Sequence, residues 1–281
     1  MIPEGNYELT WADEFDGTEL DRSKWEFRLN LIGRRWESWT DSEEALHLDG
    51  NSHAVFKICK DEKTGNLVCA QLQTGANFMD EPWVSNTVFN GKETELHWPI
   101  GHLHEQRALF KYGYFECRAR LQQKLGWWSA FWMQSPTIGT TLDAALSGAE
   151  VDIMECFAPG KVSAHNVFAR GYGLDQRRTK VFIPEMRGEF NRKDVDPTGW
   201  HRFGLLWTPD HYDFYIDGEF QGSTTNDVSQ VPEFLLVSTE VKGYRVEGHK
   251  PKEEAYEAWE AGDEFLVDYV RVFKEKPVSC H

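Results

Sequence analysis

The stretch HRFGLLWTPDHYDFYIDGEFQGS, residues 201–223, has the pattern of three β-strands joined by two tight turns. Apolar and polar residues alternate along it, which is the period of a strand with one buried face. Pro209 and Asp210 mark the first turn, and the pair Asp217-Gly218 is typical of a two-residue hairpin. The stretch therefore predicts an antiparallel sheet.

Strand patterns recur along the rest of the chain, and helical patterns are sparse. YGYFECRARL (112–121), FLLVSTEV (234–241) and FLVDYVRVF (265–273) are rich in β-forming residues, whereas only 251–262 resembles a helix. Many short strands with regular turns predict an all-β fold, an antiparallel sandwich or barrel. No linker or repeat divides the sequence, so we expect a single domain over residues 1–281.

Composition excludes some classes of partner. The formal net charge of −16 disfavours nucleic acid and anionic membranes, and no apolar run is long enough to span a bilayer. The 12 Trp residues serve either a large aromatic core or stacking on flat ligands. The five Cys form no CxxC pair, which predicts buried thiols, with one disulfide between Cys59 and Cys69 as the alternative.

The segment GAEVDIMECF, residues 148–157, places three carboxylates in a sequence that otherwise looks like a buried strand. Glu150 and Asp152 are two residues apart and share a face of the strand. Strict alternation turns Glu155 into the core, and only a β-bulge at Ile153-Met154 returns it to the carboxylate face. Burying unpaired carboxylates is costly, so the pattern predicts a bulge with a chemical purpose.

Paired carboxylates are the chemical groups of glycoside hydrolysis. A retaining enzyme needs two of them about 5–5.5 Å apart, one as nucleophile and one as acid/base. A third carboxylate between them would keep the pKa values of the pair apart. An acidic solvent-facing strand and a calcium site are the alternatives that the motif alone leaves open. Nearby Trp128 and Trp132 share one strand face and suit sugar stacking, or else belong to the core.

Several segments, taken in order, resemble glycoside hydrolase family 16, the group of laminarinases, lichenases, agarases and carrageenases. They are LTWADEFDGTELDRSKWEF (9–27), YGYFECRARL (112–121), GWWSAFWM (126–133), EVDIME (150–155), HRFGLLWTPDHYDFYIDGEF (201–220) and FLVDYVRVF (265–273). The resemblance implies a concanavalin A-like β-jelly-roll sandwich of two antiparallel sheets with a concave substrate cleft. It also implies a retaining mechanism without a required cofactor.

The resemblance assigns roles to the carboxylates and to other residues. Glu150 would be the nucleophile, Glu155 the general acid/base, and Asp152 the group that positions and tunes them. The six-residue form of the motif is similar to the bulged laminarinase and agarase branch. Candidate substrate-binding residues are Trp128, Trp132, Trp36, Trp39, His165, Arg170 and Glu240. The alternatives are core positions for the Trp residues, a structural role for His165, a solvated loop for Arg170 and a surface position for Glu240.

The resemblance also bears on substrate, metal and location. We expect endo-acting cleavage of a β-linked polysaccharide, with β-1,3-glucan favoured by the motif and the acidic charge. A sulfated or unsulfated algal galactan (porphyran, agar or carrageenan) is the alternative, and a non-catalytic glycan-binding module is a weaker one. Glu14 and Asp268 match the family position of a structural calcium. We further expect a monomer that is secreted, periplasmic or on the cell surface.

Overall fold

The computed structural model describes residues 5–31, 34–78, 80, 84–97, 105–141, 143–168, 193–241 and 259–276. Nearly all regular structure in these ranges is β-strand. In chain order the strands are β1 (Tyr7–Asp13), β2 (Glu26–Phe27), β3 (Asn30–Leu31), β4 (Arg34–Arg35), β5 (Leu46–Leu48), β6 (Ala54–Phe56), β7 (Cys59–Lys60), β8 (Leu67–Val68), β9 (Gln71–Gln73), β10 (Val84–Phe89), β11 (Lys92–His97), β12 (Gly113–Arg120), β13 (Trp127–Gln134), β14 (Glu150–Ala158), β15 (Lys161–Phe168), β16 (Lys193–Asp194), β17 (His201–Trp207), β18 (Tyr212–Ile216), β19 (Glu219–Thr224), β20 (Phe234–Val241) and β21 (Phe265–Glu275). A short helix, α1 (Ala144–Ser147), is capped by the Asp143 side chain, which accepts the N–H of Ala145.

Two large antiparallel sheets account for most of these strands. Sheet I has eight strands in the order β19-β18-β17-β12-β21-β6-β5, with β1 also paired to β21. Sheet II has seven strands in the order β16-β15-β14-β13-β20-β9-β2. Spatial neighbours are often distant in sequence, as in a jelly-roll sandwich. The predicted all-β jelly-roll class is therefore confirmed.

Strands β17, β18 and β19 confirm the prediction of three strands within residues 201–223. They pair in succession at the edge of sheet I. Asp217 and Gly218 have φ values of 54° and 81°, the left-handed region that a type I′ hairpin turn requires. The Asp-Gly pair is suited to this turn because glycine adopts positive φ at little cost and aspartate tolerates it.

Alternate residues of both sheets meet in one hydrophobic core. From sheet I, Phe115 and Cys117 of β12 point inward; from sheet II, Phe131 and Met133 of β13 do so. All four side chains are fully buried. This packing leaves the even-numbered residues of β13 on the other face of sheet II, away from sheet I.

The Cys59–Cys69 disulfide alternative is wrong. Both residues are buried free thiols, and Cys69 Sγ donates to the Ser38 carbonyl at 3.3 Å. Cys59 lies on β7, which pairs with β8, and Cys69 directly follows β8. The flanking strands β6 and β9 belong to sheet I and sheet II, so this part of the chain crosses from one sheet to the other. Residues 251–258 of the expected helix lie outside the described residues.

Among the described residues, no helix has the length and apolar character needed to cross a bilayer.

Candidate active site

Strand β14 contains the bulge that the carboxylate pattern requires. Trp132 on β13 is opposite Asp152, whereas the adjacent Phe131 is opposite Met154, so Ile153 is the extra residue. Ile153 and Met154 are both fully buried in the core between the sheets. The predicted bulge at Ile153-Met154 is confirmed. The bulge allows the two consecutive apolar side chains of Ile153 and Met154 to point into the core together.

The bulge aligns the three carboxylates along one face of sheet II. Glu150, Asp152 and Glu155 are the cross-strand partners of Gln134, Trp132 and Ala130, which alternate along β13. Neighbouring positions on one strand face are about 6.6 Å apart along the strand. Asp152 and Glu155 are only 5% and 7% exposed, while Glu150 is half-buried.

Glu150 receives a strong hydrogen bond from the neighbouring strand. Gln134 Nε2 donates to Glu150 Oε2 at 2.5 Å, and Asn77 Nδ2 donates to Gln134 Oε1 at 3.0 Å. A short bond to an ionised acceptor is stronger than a neutral one and fixes the carboxylate plane. One oxygen of Glu150 is therefore held by the protein.

Glu155 is held by an indole. Trp128 Nε1 donates to Glu155 Oε1 at 3.1 Å, and the Trp128 ring packs on Phe157 with ring centroids 4.9 Å apart. The predicted cleft residue Trp128 is partly exposed, so its ring contributes to the surface beside Glu155. An N–H donor at this oxygen favours the ionised carboxylate and orients it.

Trp132 lies beside Asp152 but is only 5% exposed. Its Nε1 donates to Ser238 Oγ at 3.1 Å, and the Arg28 guanidinium lies 5.3 Å from its ring centroid. With its edge and one face engaged, this indole supports the floor of the site. Its predicted contact with substrate remains a prediction.

Trp36 and Trp39, two of the predicted substrate-binding residues, are buried. Both are buried in a second hydrophobic cluster, together with Trp127 and Val241. Their rings pack on each other with centroids 5.7 Å apart, and Arg28 lies over Trp39 at 5.3 Å. These contacts are those of the core alternative, and contact of either ring with substrate remains a prediction.

Glu240 is only 2% exposed, so the surface alternative for this residue is wrong. It is the cross-strand neighbour of Trp128, and Gln71 Nε2 donates a hydrogen bond to its Oε1. Glu240 therefore belongs to the same face of sheet II as the carboxylate row. Its contact with substrate is untested.

The His165 side chain and the whole of Arg170 lie outside the described residues. His165 lies on β15 next to Ala164, the cross-strand partner of Glu155, but its side chain is outside the described set. Arg170 falls outside the described residues altogether. Their roles in substrate binding remain predictions.

The two predicted calcium ligands each pair with an arginine. Glu14 accepts two hydrogen bonds from Arg271, at 2.8 and 2.7 Å, and Asp268 is bonded to Arg118. Over the described ranges, no group of three or more His, Cys, Asp or Glu is arranged to hold a metal ion. Each of these carboxylates is thus paired with a guanidinium group, and the calcium stays a prediction.

The sequence did not point to several buried polar residues near Glu150. One of them, Glu233, is fully buried, and its Oε1 accepts the N–H of Ala149 at 3.0 Å. Burial raises the pKa of Glu233 from 4.5 to about 8, and repulsion by Glu150 acts in the same direction. Only the tertiary structure could identify this group, because it precedes an ordinary apolar strand.

Comparison with known proteins adds a family context. The family model described as "Beta-porphyranase A-D, GH16 domain" matches residues 8–275. Glucan endo-1,3-beta-glucosidase A1 of Niallia circulans is 26% identical over 95% of this chain, which spans 38% of that protein. Beta-glucanase of Rhodothermus marinus is 25% identical over 96% of this chain, which spans 86% of that protein.

A solved structure gives the same architecture. The laminarinase from Rhodothermus marinus superimposes with a TM-score of 0.67 at 21% identity, covering 98% of this chain and 100% of the other. At this identity the likeness supports the fold alone.

Proposed function

The chain belongs to glycoside hydrolase family 16, and from this premise we propose that it is a retaining, endo-acting glycosidase that cleaves β-linked polysaccharide. The observation that carries the proposal is the bulge in β14. It brings Glu155 onto the face that already holds Glu150 and Asp152. A module that only bound glycans would gain nothing from three carboxylates aligned on a buried strand.

The first step of the proposed reaction forms a glycosyl-enzyme. Glu150 attacks the anomeric carbon and forms an ester bond, while the glycosidic C–O bond breaks. The proton of Glu155 passes to the leaving oxygen, so the released chain end departs as an alcohol. Trp128 Nε1 then donates to the newly ionised Glu155.

The second step returns the enzyme to its starting state. Glu155 accepts a proton from water, the resulting hydroxide equivalent attacks the anomeric carbon, and the ester bond to Glu150 breaks. The two inversions retain the β-configuration. Asp152, between the two glutamates on the strand face, supplies the negative charge that separates their proton affinities.

A β-1,3-linked glucan is the leading substrate in this proposal. Its support is the glucan endo-1,3-beta-glucosidase that is similar over 95% of the chain, together with the acidic character of the protein. A net charge of −16 disfavours a strongly anionic polymer and leaves a neutral glucan unaffected.

Porphyran is the second candidate, and one observation favours it. The family model that spans residues 8–275 is described as that of β-porphyranases. The chain also has Arg170, Arg177 and Arg178 in the segment after β15, and guanidinium groups suit sulfate. These arginines lie outside the described residues, so this support is from sequence alone.

The decisive experiment is an activity panel of laminarin, lichenan, agarose, porphyran and carrageenan. Release of β-configured oligosaccharides from laminarin, observed early by NMR, supports a retaining endo-glucanase. If the protein cleaves porphyran and none of the other polymers, porphyran is its substrate and the glucan proposal is wrong. Glu150→Gln should abolish hydrolysis and keep binding, whereas absence of cleavage by the native protein on every polymer would leave only the glycan-binding module.

The remaining parts of the proposal concern cofactor, assembly and location. The steps above use only side chains and water, and the calcium predicted at Glu14 and Asp268 takes no part in them. We propose a monomer that meets its polymer outside the cytoplasm. Gel filtration and fractionation of the native host would test these two statements.

A further inference from the structure

A chain of buried polar side chains leads away from Glu150, and the proposed mechanism does not use it. Gln134 Nε2 donates to Glu150 Oε2 at 2.5 Å, and Asn77 Nδ2 donates to Gln134 Oε1 at 3.0 Å. Gln134 and Asn77 are 0% and 1% exposed. Both side chains are buried away from a polysaccharide, and Gln134 contacts the carboxylate row through its hydrogen bond to Glu150.

A backbone N–H determines which groups donate and which accept along this series of hydrogen bonds. The N–H of Asp80 donates to Asn77 Oδ1 at 3.1 Å. Because a backbone N–H is always a donor, Asn77 must present its oxygen to Asp80 and its amide nitrogen to Gln134. Gln134 then accepts through Oε1 and has only its nitrogen to offer Glu150.

The far end of the chain is anchored in a rigid cluster. Arg28 binds both oxygens of Asp80, with Nε to Oδ2 at 3.0 Å and Nη2 to Oδ1 at 3.1 Å. The same guanidinium lies 5.3 Å from the ring centroids of Trp39 and Trp132. Since Trp132 is the cross-strand partner of Asp152, the anchor is built into the floor of the candidate site.

We propose that Gln134 is a positioning residue for the nucleophile, and that Asn77 and Asp80 fix the direction of its amide. The proposal rests on the assignment of Glu150 as nucleophile. The oxygen that this donor holds is Oε2, and in this proposal Oε1 bonds to the anomeric carbon. Oε2 then becomes the carbonyl oxygen of the ester and keeps its hydrogen bond until water releases the sugar.

Two substitutions remove the donor in different ways. Gln134→Leu deletes it directly. Asn77→Asp puts an acceptor where Gln134 now receives an N–H, so the Gln134 amide must turn and present its oxygen to Glu150. Each change should lower kcat about 10- to 100-fold, with KM within about threefold. The acidic limb of the pH–rate profile should move to higher pH, because the ionised carboxylate has lost a donor.

Asn51→Asp is the matched control, since it makes the same chemical change in an exposed turn. It should leave kcat, KM and the pH profile unchanged. Urea unfolding of all variants reports whether each one folds. If Gln134→Leu does not fold, Asn77→Asp alone decides, because it keeps the size of the side chain.

The double variant separates positioning from general loss of structure. If both substitutions act through one hydrogen bond to Glu150, the kcat of the double variant should lie within about twofold of the kcat of the slower single variant. Rate losses that multiply, or changes in KM alone, would overturn the proposal. So would full kcat in either folded single variant.

The failure of this inference can be told apart from the failure of the proposed function. Hydrolysis by the native protein and its loss in Glu150→Gln test the function. If both hold while Gln134→Leu keeps its kcat, only the positioning role is wrong. If the native protein cleaves no polymer, both proposals fall together.

Discussion

Glu233→Gln should make the protein more stable, and increasingly so as the pH rises from 4.5 to 8. Glu233 is fully buried just before β20, and burial raises its pKa from the ordinary 4.5 to about 8. Between these values the folded protein holds a proton on Glu233 that the unfolded chain has lost. Stability therefore falls as the pH rises through this window, and it levels off above the folded-state pKa.

The size of the effect follows from the width of the window. Each pH unit is worth about 1.4 kcal/mol for one proton, so a window from 4.5 to about 8 corresponds to roughly 5 kcal/mol. Glutamine stays neutral in both states, and its Oε1 can accept the Ala149 N–H as Glu233 does. The variant should thus match the native protein near pH 4.5 and exceed it by up to about 5 kcal/mol at pH 8.

Urea unfolding followed by tryptophan fluorescence at pH 5, 6.5 and 8 measures this difference. Subtracting the native value at each pH removes the contribution of other titrating groups. Glu62→Gln, in an exposed turn, is the control and should give the same difference at all three pH values. A Glu233→Gln difference that is constant or shrinks with pH would refute the argument, because Glu233 would then be ionised in the folded protein.

Three further predictions concern the site and its support. Glu155→Ala should lose hydrolysis of unactivated polymer yet regain turnover of an activated aryl glycoside with added azide, and no azide adduct would count against Glu155 as acid/base. Trp128→Phe should shift the alkaline limb of the pH–rate profile to higher pH, because Glu155 loses an N–H donor; an unmoved limb would contradict this. Asp80→Asn should lower the free energy of unfolding by about 3–5 kcal/mol in urea titrations, since it removes the buried carboxylate charge that forms an ion pair with Arg28. Asp210→Asn, on an exposed turn, should change it by less than about 0.5 kcal/mol.

The sequence by itself determined the strand class and the shape of the catalytic strand. Alternation and turn chemistry are local, because a strand has a period of two residues and an Asp-Gly pair can adopt positive φ without help. The bulge was also predictable locally. Two adjacent apolar residues, Ile153 and Met154, interrupt an otherwise strict alternation of carboxylates and core residues.

Tertiary structure alone decided which side chains surround the carboxylates. The contact between Asn77 and Gln134 joins residues 57 apart, and that between Gln71 and Glu240 joins residues 169 apart. Such pairs depend on the order of strands in sheet II. The two-residue alternation does not encode that order, because every strand shows the same alternation. The same limit explains Trp36 and Trp39. A tryptophan in an early loop has no periodicity, and only the packing of that loop against β13 and β20 determines that both rings are buried.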